Sequence, residues 1–145
     1  MGKEVVFYRN YKFYEYPDII SRVQKFLWKY LQQYDHPKWF QEMLADINAN
    51  SITPIPKYFF DEEEVDMELG RKNYIINMLE QSITEMERMN MSEFIYYIKD
   101  DMRRTYYDYD PKYTILDDDV YKNHYLRIIR NVRDMMNGTF KPEEF

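Results

Sequence analysis

The sequence of 145 residues contains no cysteine, little glycine or proline, and no long apolar segment. Without cysteine, a disulfide framework, a thiolate zinc site and a cysteine nucleophile are all excluded. The three glycines, Gly2, Gly70 and Gly138, are isolated, which excludes the Gly-rich loops of Walker and dinucleotide-binding motifs. No uncharged apolar run approaches the roughly 20 residues that cross a bilayer, and the first residues lack the apolar core of a signal peptide. We therefore expect a cytoplasmic protein that does not bind membranes.

Aromatic and acidic residues are abundant instead. The chain has 16 Tyr, 9 Phe and 2 Trp, and 45% of its residues are hydrophobic, so we expect one folded domain spanning residues 1–145. The net charge of −6 is unevenly divided, with +2 over residues 1–60 and −8 over residues 61–145. Because an acidic surface repels phosphate backbones, direct nucleic-acid binding is disfavoured and a basic partner is favoured.

Apolar residues at three- and four-residue spacing predict five helices. The first runs over about 17–34, with Tyr34 on its inner face, and the second from Pro37 to Ile47. Residues 48–57, with two prolines, are expected to form an extended connector. Further helices are predicted over about 61–89, 90–102 and 118–137.

The ends of these helices carry recognisable signals. Asp61 with Glu64, and Asn90 with Glu93, have the spacing of a capping box. Gly70 lies inside the predicted third helix and can interrupt it. Leu69, just before it, is placed on the inner face. Gly138 is expected to supply a left-handed cap after the last helix.

We therefore expect a mainly α fold, an irregular orthogonal bundle of about five helices. Only two alanines occur, and the bulky aromatic residues keep helices far apart. Residues 1–16 are β-prone and are predicted to be an extended or irregular arm or a short hairpin that turns at Arg9 and Asn10. Residues 139–145 are predicted to form a frayed tail.

No motif points to catalysis, so we predict a protein that is not an enzyme and has no catalytic residue, metal or cofactor. His36 and His124 do not have the spacing of zinc-protease or di-iron sites, and His36 has no evident partner. His124 and Arg127 share a helix, but positions 118–120 are Asp, Asp and Val rather than the upstream Arg of HEPN ribonucleases. The triplet Asp117, Asp118 and Asp119 fits a helix N-terminus better than a metal site.

Two acidic clusters rise above this background. Loops often carry binding function, and exposed Tyr beside acids suits a partner's Arg or Lys side chains. The primary predicted partner-binding patch contains Tyr106, Tyr107, Asp108, Tyr109, Asp110, Asp117, Asp118 and Asp119. The secondary predicted patch contains Asp61, Glu62, Glu63, Glu64, Asp66 and Glu68.

A small, acidic, cysteine-free, mostly helical chain with an aromatic surface resembles the immunity proteins of bacterial toxin systems. The resemblance is one of composition and aligns no motif. It implies a toxin inhibitor that neutralises a basic partner, such as a toxin nuclease domain, by steric and electrostatic occlusion. Two alternatives remain open: a structural or regulatory protein that self-associates as a homodimer through exposed Tyr and Met, and a metal-dependent enzyme that uses the aspartate triplet.

Overall fold

The computed structural model is mainly helical, with a two-stranded hairpin at the N-terminus, which confirms the predicted fold class. It describes residues 3–51, 59–90, 92–94, 97 and 118–142, with backbone only for residues 118–121. Strands β1 and β2 are followed in these ranges by helices α1 to α5. Their bounds are β1 Glu4–Tyr8, β2 Tyr11–Glu15, α1 Pro17–Leu31, α2 Lys38–Ser51, α3 Glu62–Asp66, α4 Arg71–Arg88 and α5 Asp118–Asn137.

The N-terminal arm is the hairpin. Its strands are antiparallel, with Glu4 opposite Glu15 and Tyr8 opposite Tyr11. Arg9 turns the chain with a positive φ of 54°. This left-handed conformation is energetically unfavourable for a residue that has a side chain. The Arg9 guanidinium is held by an ion pair with Asp66 and lies over the Tyr8 ring. The turn is therefore fixed by contacts with α3.

The first helix pair differs from the prediction at its ends. Helix α1 begins at Pro17, as expected, but ends at Leu31, so Tyr34 lies in the following turn and is exposed. Helix α2 extends to Ser51, so residues 48–51 are helical and the prediction of an extended connector there was wrong. Lys25 of α1 donates to the Asn48 side chain at 2.6 Å, a contact across α1 and α2 that favours the longer helix. The rest of the predicted connector, residues 52–58, lies outside the described residues.

The predicted helix over 61–89 is two helices. Gly70 has a φ of +92°, which is incompatible with a continuous right-handed helix. The chain therefore turns between α3 and α4. As a result Leu69, predicted to face inward, is fully exposed at 105%.

The capping predictions at the later helices hold. Glu93 N–H donates to the Asn90 side chain at 2.9 Å, and Asn90 N–H donates back to Glu93 at 3.4 Å, which is a reciprocal capping box. Gly138 has a φ of +77°, and Thr139 N–H donates to the Asp134 carbonyl at 2.9 Å. This is the bond pattern of a left-handed helix cap.

The core is strongly aromatic. Phe26 stacks on Tyr30 at 5.7 Å, and Phe94 stacks on Tyr125 at 4.6 Å between ring centroids. Helix α1 packs mainly on α2, and α4 packs mainly on α5. The hairpin lies against α5. After α5, Phe140 is buried against Phe13 at 6.3 Å, so the start of the segment predicted to be frayed is part of the packed structure.

Candidate partner-binding site

The primary predicted patch cannot be compared with the structure as a surface. Tyr106, Tyr107, Asp108, Tyr109, Asp110 and Asp117 lie outside the described residues. Asp118 and Asp119 begin helix α5, as predicted, but only their backbone is described. The primary patch therefore stays a prediction, and the site below is built from the secondary patch.

The fold divides the six acids of the secondary patch into two groups. Asp66 is paired with Arg9, and Glu68 with Arg71 at 3.0 Å. Asp61 caps α3 by accepting the Glu63 N–H at 2.9 Å. The cap thus uses Asp61 as predicted, with Glu63 N–H as the donor. The carboxylates of Glu62, Glu63 and Glu64 form no ion pair within the described part of the chain.

Glu62 and Glu63 line a groove of about 320 Å³ between the turn end of β1 and the start of α3. Its other walls are Asp61, Arg9, whose guanidinium is paired with Asp66, and aromatic residues, among them Phe7, which is 45% exposed. Tyr8 also lines the groove, and its buried hydroxyl has no hydrogen-bond partner among the described residues. We call this cavity the acidic groove. It combines exposed ring surface with carboxylates that form no ion pair among the described residues.

Asp46 and Glu42 of helix α2 lie near Glu64, which does not itself line the acidic groove. Burial raises the pKa of Glu64, and the negative charges of Asp46 and Asp61 raise it further, while Arg71 acts in the opposite direction. Asp46 is exposed and forms no ion pair among the described residues. Like charges that repel one another in this way favour the approach of a cation.

Exposed apolar side chains follow the acidic groove along the chain. Met67 is 70% exposed, and Leu69 is fully exposed. Two such residues beside a groove give a partner apolar surface to bury in addition to charge. Arg71 stabilises this region by donating to the Glu64 carbonyl at 3.0 Å and by lying over the Trp39 ring at 4.8 Å.

A buried carboxylate with two partly exposed partners lies where the hairpin meets α5, and sequence reasoning missed this cluster. Glu15 is 0% exposed, and its Oε2 lies 2.7 Å from His124 Nε2 and 2.6 Å from an Arg127 nitrogen. Its Oε1 accepts the Tyr16 N–H at 2.9 Å. Two sequence features could have indicated this cluster. Glu15 alternates with Phe13 along β2 and so shares its inward face, and His124 and Arg127 are three residues apart on one helix face.

The chemistry of this buried cluster is structural. Burial alone raises the pKa of Glu15, but the contacts with His124, the Tyr16 N–H and Arg127 outweigh burial and lower it to about 2. The carboxyl group is therefore ionised near neutral pH and has no proton to donate. Because it is also inaccessible to solvent, it fits the role of fixing the hairpin on α5 rather than that of a general acid or base.

His36, expected to have no partner, has two. Its Nδ1 lies 2.6 Å from the Tyr74 hydroxyl and its Nε2 lies 2.7 Å from the Leu31 carbonyl oxygen. Since a carbonyl can only accept, the Nε2 of His36 is the donor. The ring therefore connects the end of α1 to α4.

Within the described residues, no group of three or more His, Asp or Glu side chains is arranged to hold a metal ion. A search of the same residues finds no helix with the length and apolar character needed to span a membrane. Comparison of the chain with protein-family models, with curated proteins and with solved structures finds no match.

Proposed function

We propose that this protein binds a basic macromolecular partner through the acidic groove and neutralises it by occlusion, as a toxin-immunity protein does. The observation that carries the proposal is the unpaired state of Glu62 and Glu63 beside the exposed ring of Phe7. An arginine side chain of the partner suits this combination, because its planar guanidinium binds carboxylates through two hydrogen bonds and stacks on aromatic rings.

The walls of the acidic groove add a specific contact. Burial raises the pKa of Tyr8, so its hydroxyl stays protonated near neutral pH, although the neighbouring Arg9 acts against this rise. The contact that these walls offer to a partner is therefore the exposed ring of Phe7 rather than the buried Tyr8 hydroxyl. The exposed Met67 and Leu69 would be covered by the same partner, which makes the surface around the groove part of the interface.

Inhibition in this proposal needs no chemistry by the protein. Many toxin nucleases hold phosphate groups in a basic cleft, and an acidic surface that occupies such a cleft excludes the nucleic acid. Attraction between opposite charges also speeds the encounter, which matters for a protein that must reach a toxin before it acts.

The experiment compares three proteins: the wild type, Glu62→Lys/Glu63→Lys, and the control Asp35→Lys/Glu80→Lys. The control makes the same charge change at two exposed positions outside the acidic groove, neither of which is ion-paired within the described part of the chain. A partner is captured from the host organism with the wild type, purified, and used to measure association rates at increasing salt.

We expect the captured partner to be basic. Association with the groove variant should be slower by about tenfold or more at low salt, within the range of electrostatic steering. This difference should shrink as salt reduces the screening length to about 3 Å near 1 M, and the control should be affected much less. Equal association rates for wild type and groove variant at low salt would reject the groove as the binding site.

The primary predicted patch is tested in the same assay with Asp117→Lys/Asp118→Lys. Sedimentation of the purified wild-type protein tests the alternative of self-association, because the exposed Leu69 and Met67 could also bury one another in a dimer. A concentration-dependent dimer that hides Glu62 and Glu63 from a basic partner would favour that alternative over the proposal.

A further inference from the structure

A second cavity, on the other strand of the hairpin, has the opposite charge. It encloses about 400 Å³ between β2, the second half of α5 and the segment around Phe140. Its charged lining residues are all cations, although the chain as a whole has a net charge of −6. They are Lys3, Lys12 and Arg127. We call this cavity the basic pocket.

Local contacts hold these cations in place without neutralising the two lysines. Lys3 lies over the Tyr16 ring at 5.5 Å and Lys12 over the Tyr14 ring at 5.9 Å. Neither ammonium group lies within ion-pair distance of a carboxylate among the described residues. Arg127 is oriented by Glu15, whose Oε2 lies 2.6 Å from its guanidinium. The basic pocket is therefore lined by two lysines without an ion pair among the described residues and by Arg127, which is paired with Glu15.

The rest of the basic pocket is largely apolar. Phe13 and Phe140 form a packed pair of rings in its wall, and Tyr14, which is 53% exposed, forms another side. A volume of about 400 Å³ falls within the range of roughly 300–1,000 Å³ that is typical of small-molecule sites. Apolar walls with a few convergent charges are also the usual composition of such sites.

From this combination we infer that the basic pocket binds a small amphiphilic anion, with a carboxylate, sulfonate or phosphate head at the cations and an aromatic body against the rings. The inference does not depend on the proposed function, because no residue of the acidic groove lines the basic pocket. The protein would then have a small-molecule site in addition to a surface for a basic partner.

The experiment uses the whole chain and three probes. Anilinonaphthalene sulfonate carries both the anionic head and the rings, phenylnaphthylamine carries the rings without the charge, and inorganic sulfate carries the charge alone. Binding of the two dyes is followed by their fluorescence. The melting temperature is recorded with each probe, because a ligand that binds only the folded state raises it.

Saturable binding of the sulfonate dye is expected, with weaker binding of the uncharged dye and of sulfate. Lys12→Glu should weaken binding of the sulfonate dye, with a dissociation constant about fivefold higher or more. This factor corresponds to about 1 kcal/mol for one nearby charge in water. Tyr14→Ser, at an exposed position, should weaken it by removing ring surface. The matched control is Lys72→Glu, an exposed lysine of α4 that does not line the basic pocket.

The inference would be overturned by any of three results: no saturable binding of the sulfonate dye, equal affinity for the charged and uncharged dyes, or equal effects of Lys12→Glu and Lys72→Glu. A fluorescence increase without a rise in melting temperature would also count against it, since such a dye binds exposed apolar surface of unfolded chains rather than a pocket of the native protein.

Discussion

Replacing Glu15 with glutamine removes a negative charge that the fold keeps fully buried between the hairpin and α5. In the wild type that charge contacts His124 and Arg127 at 2.7 and 2.6 Å. Glutamine has nearly the same shape but resembles the protonated carboxyl group. It therefore removes the anion that contacts His124 and Arg127.

The size of the stability loss and its pH dependence follow from the pKa of Glu15. Its value in the folded state is lowered from 4.5 to about 2, a difference that corresponds to about 3 kcal/mol of folding free energy. Because the folded pKa is lowered, this contribution is fully present above about pH 5. It is lost as the pH falls toward 2, where the carboxyl group becomes protonated in the folded state as well.

We expect Glu15→Gln to reduce the free energy of unfolding by about 3 kcal/mol at neutral pH, and the difference from wild type to shrink progressively between about pH 5 and pH 3. The measurement is urea denaturation of both proteins at a series of pH values. Other carboxyl groups titrate in the same range, but they are common to both proteins and largely cancel in the difference.

The control is Glu4→Gln, at the position directly opposite Glu15 in the hairpin. This substitution makes the same chemical change as Glu15→Gln, but it removes a negative charge that lies opposite another one. It should therefore be neutral or slightly stabilising. A constant difference between wild type and Glu15→Gln across the whole pH range would refute the reasoning, since the loss would then come from packing rather than from the charge.

Three further substitutions test local features. Gly138→Ala should lower the unfolding free energy by about 1–2 kcal/mol, measured by thermal unfolding. The cost comes from the left-handed φ of +77° alone, because an added Cβ would meet no neighbouring atom within 4 Å. Asn90→Ala should cost about 1 kcal/mol by removing the acceptor of the Glu93 N–H, measured by urea denaturation. Tyr74→Phe should cost about 1 kcal/mol because it removes the hydroxyl that contacts His36, measured by urea denaturation.

Local signals account for the parts of the fold that were predicted from the sequence. The helix starts at Pro17 and Asp118, the capping box of Asn90 and the left-handed cap at Gly138 each depend on a few neighbouring residues. The interruption at Gly70, which the sequence allowed for, also comes from a local feature, its left-handed φ, whereas the extended connector at residues 48–51 was predicted wrongly. Periodicity describes which face of a helix is apolar, but it does not decide where tertiary contacts extend or interrupt the helix.

The candidate sites depend on contacts between distant parts of the chain, and this limits what periodicity and composition can predict. The six acids of the secondary patch lie within eight residues of the sequence, yet Asp66 is paired with Arg9, which is 57 residues away. Glu15 and Arg127 are 112 residues apart. The sequence predicts that such charges exist, whereas the fold determines which ones neutralise one another.

The hairpin separates the remaining charges by sign, and this has a consequence for partner recognition. The acidic groove lies against β1, where Arg9 is already paired with Asp66, and the basic pocket lies against β2, around Lys3 and Lys12. Oppositely charged regions on one hairpin give the surface a local dipole as well as a net negative charge. A basic partner is then attracted to the groove and repelled by the pocket, so its orientation is selected before contact. Lys12→Gln and Glu63→Gln together leave the net charge at −6 but remove one charge of each sign from the hairpin region. The double variant should accordingly associate with the partner more slowly than the wild type at low salt. An unchanged rate would mean that net charge, rather than its arrangement on the hairpin, governs the encounter.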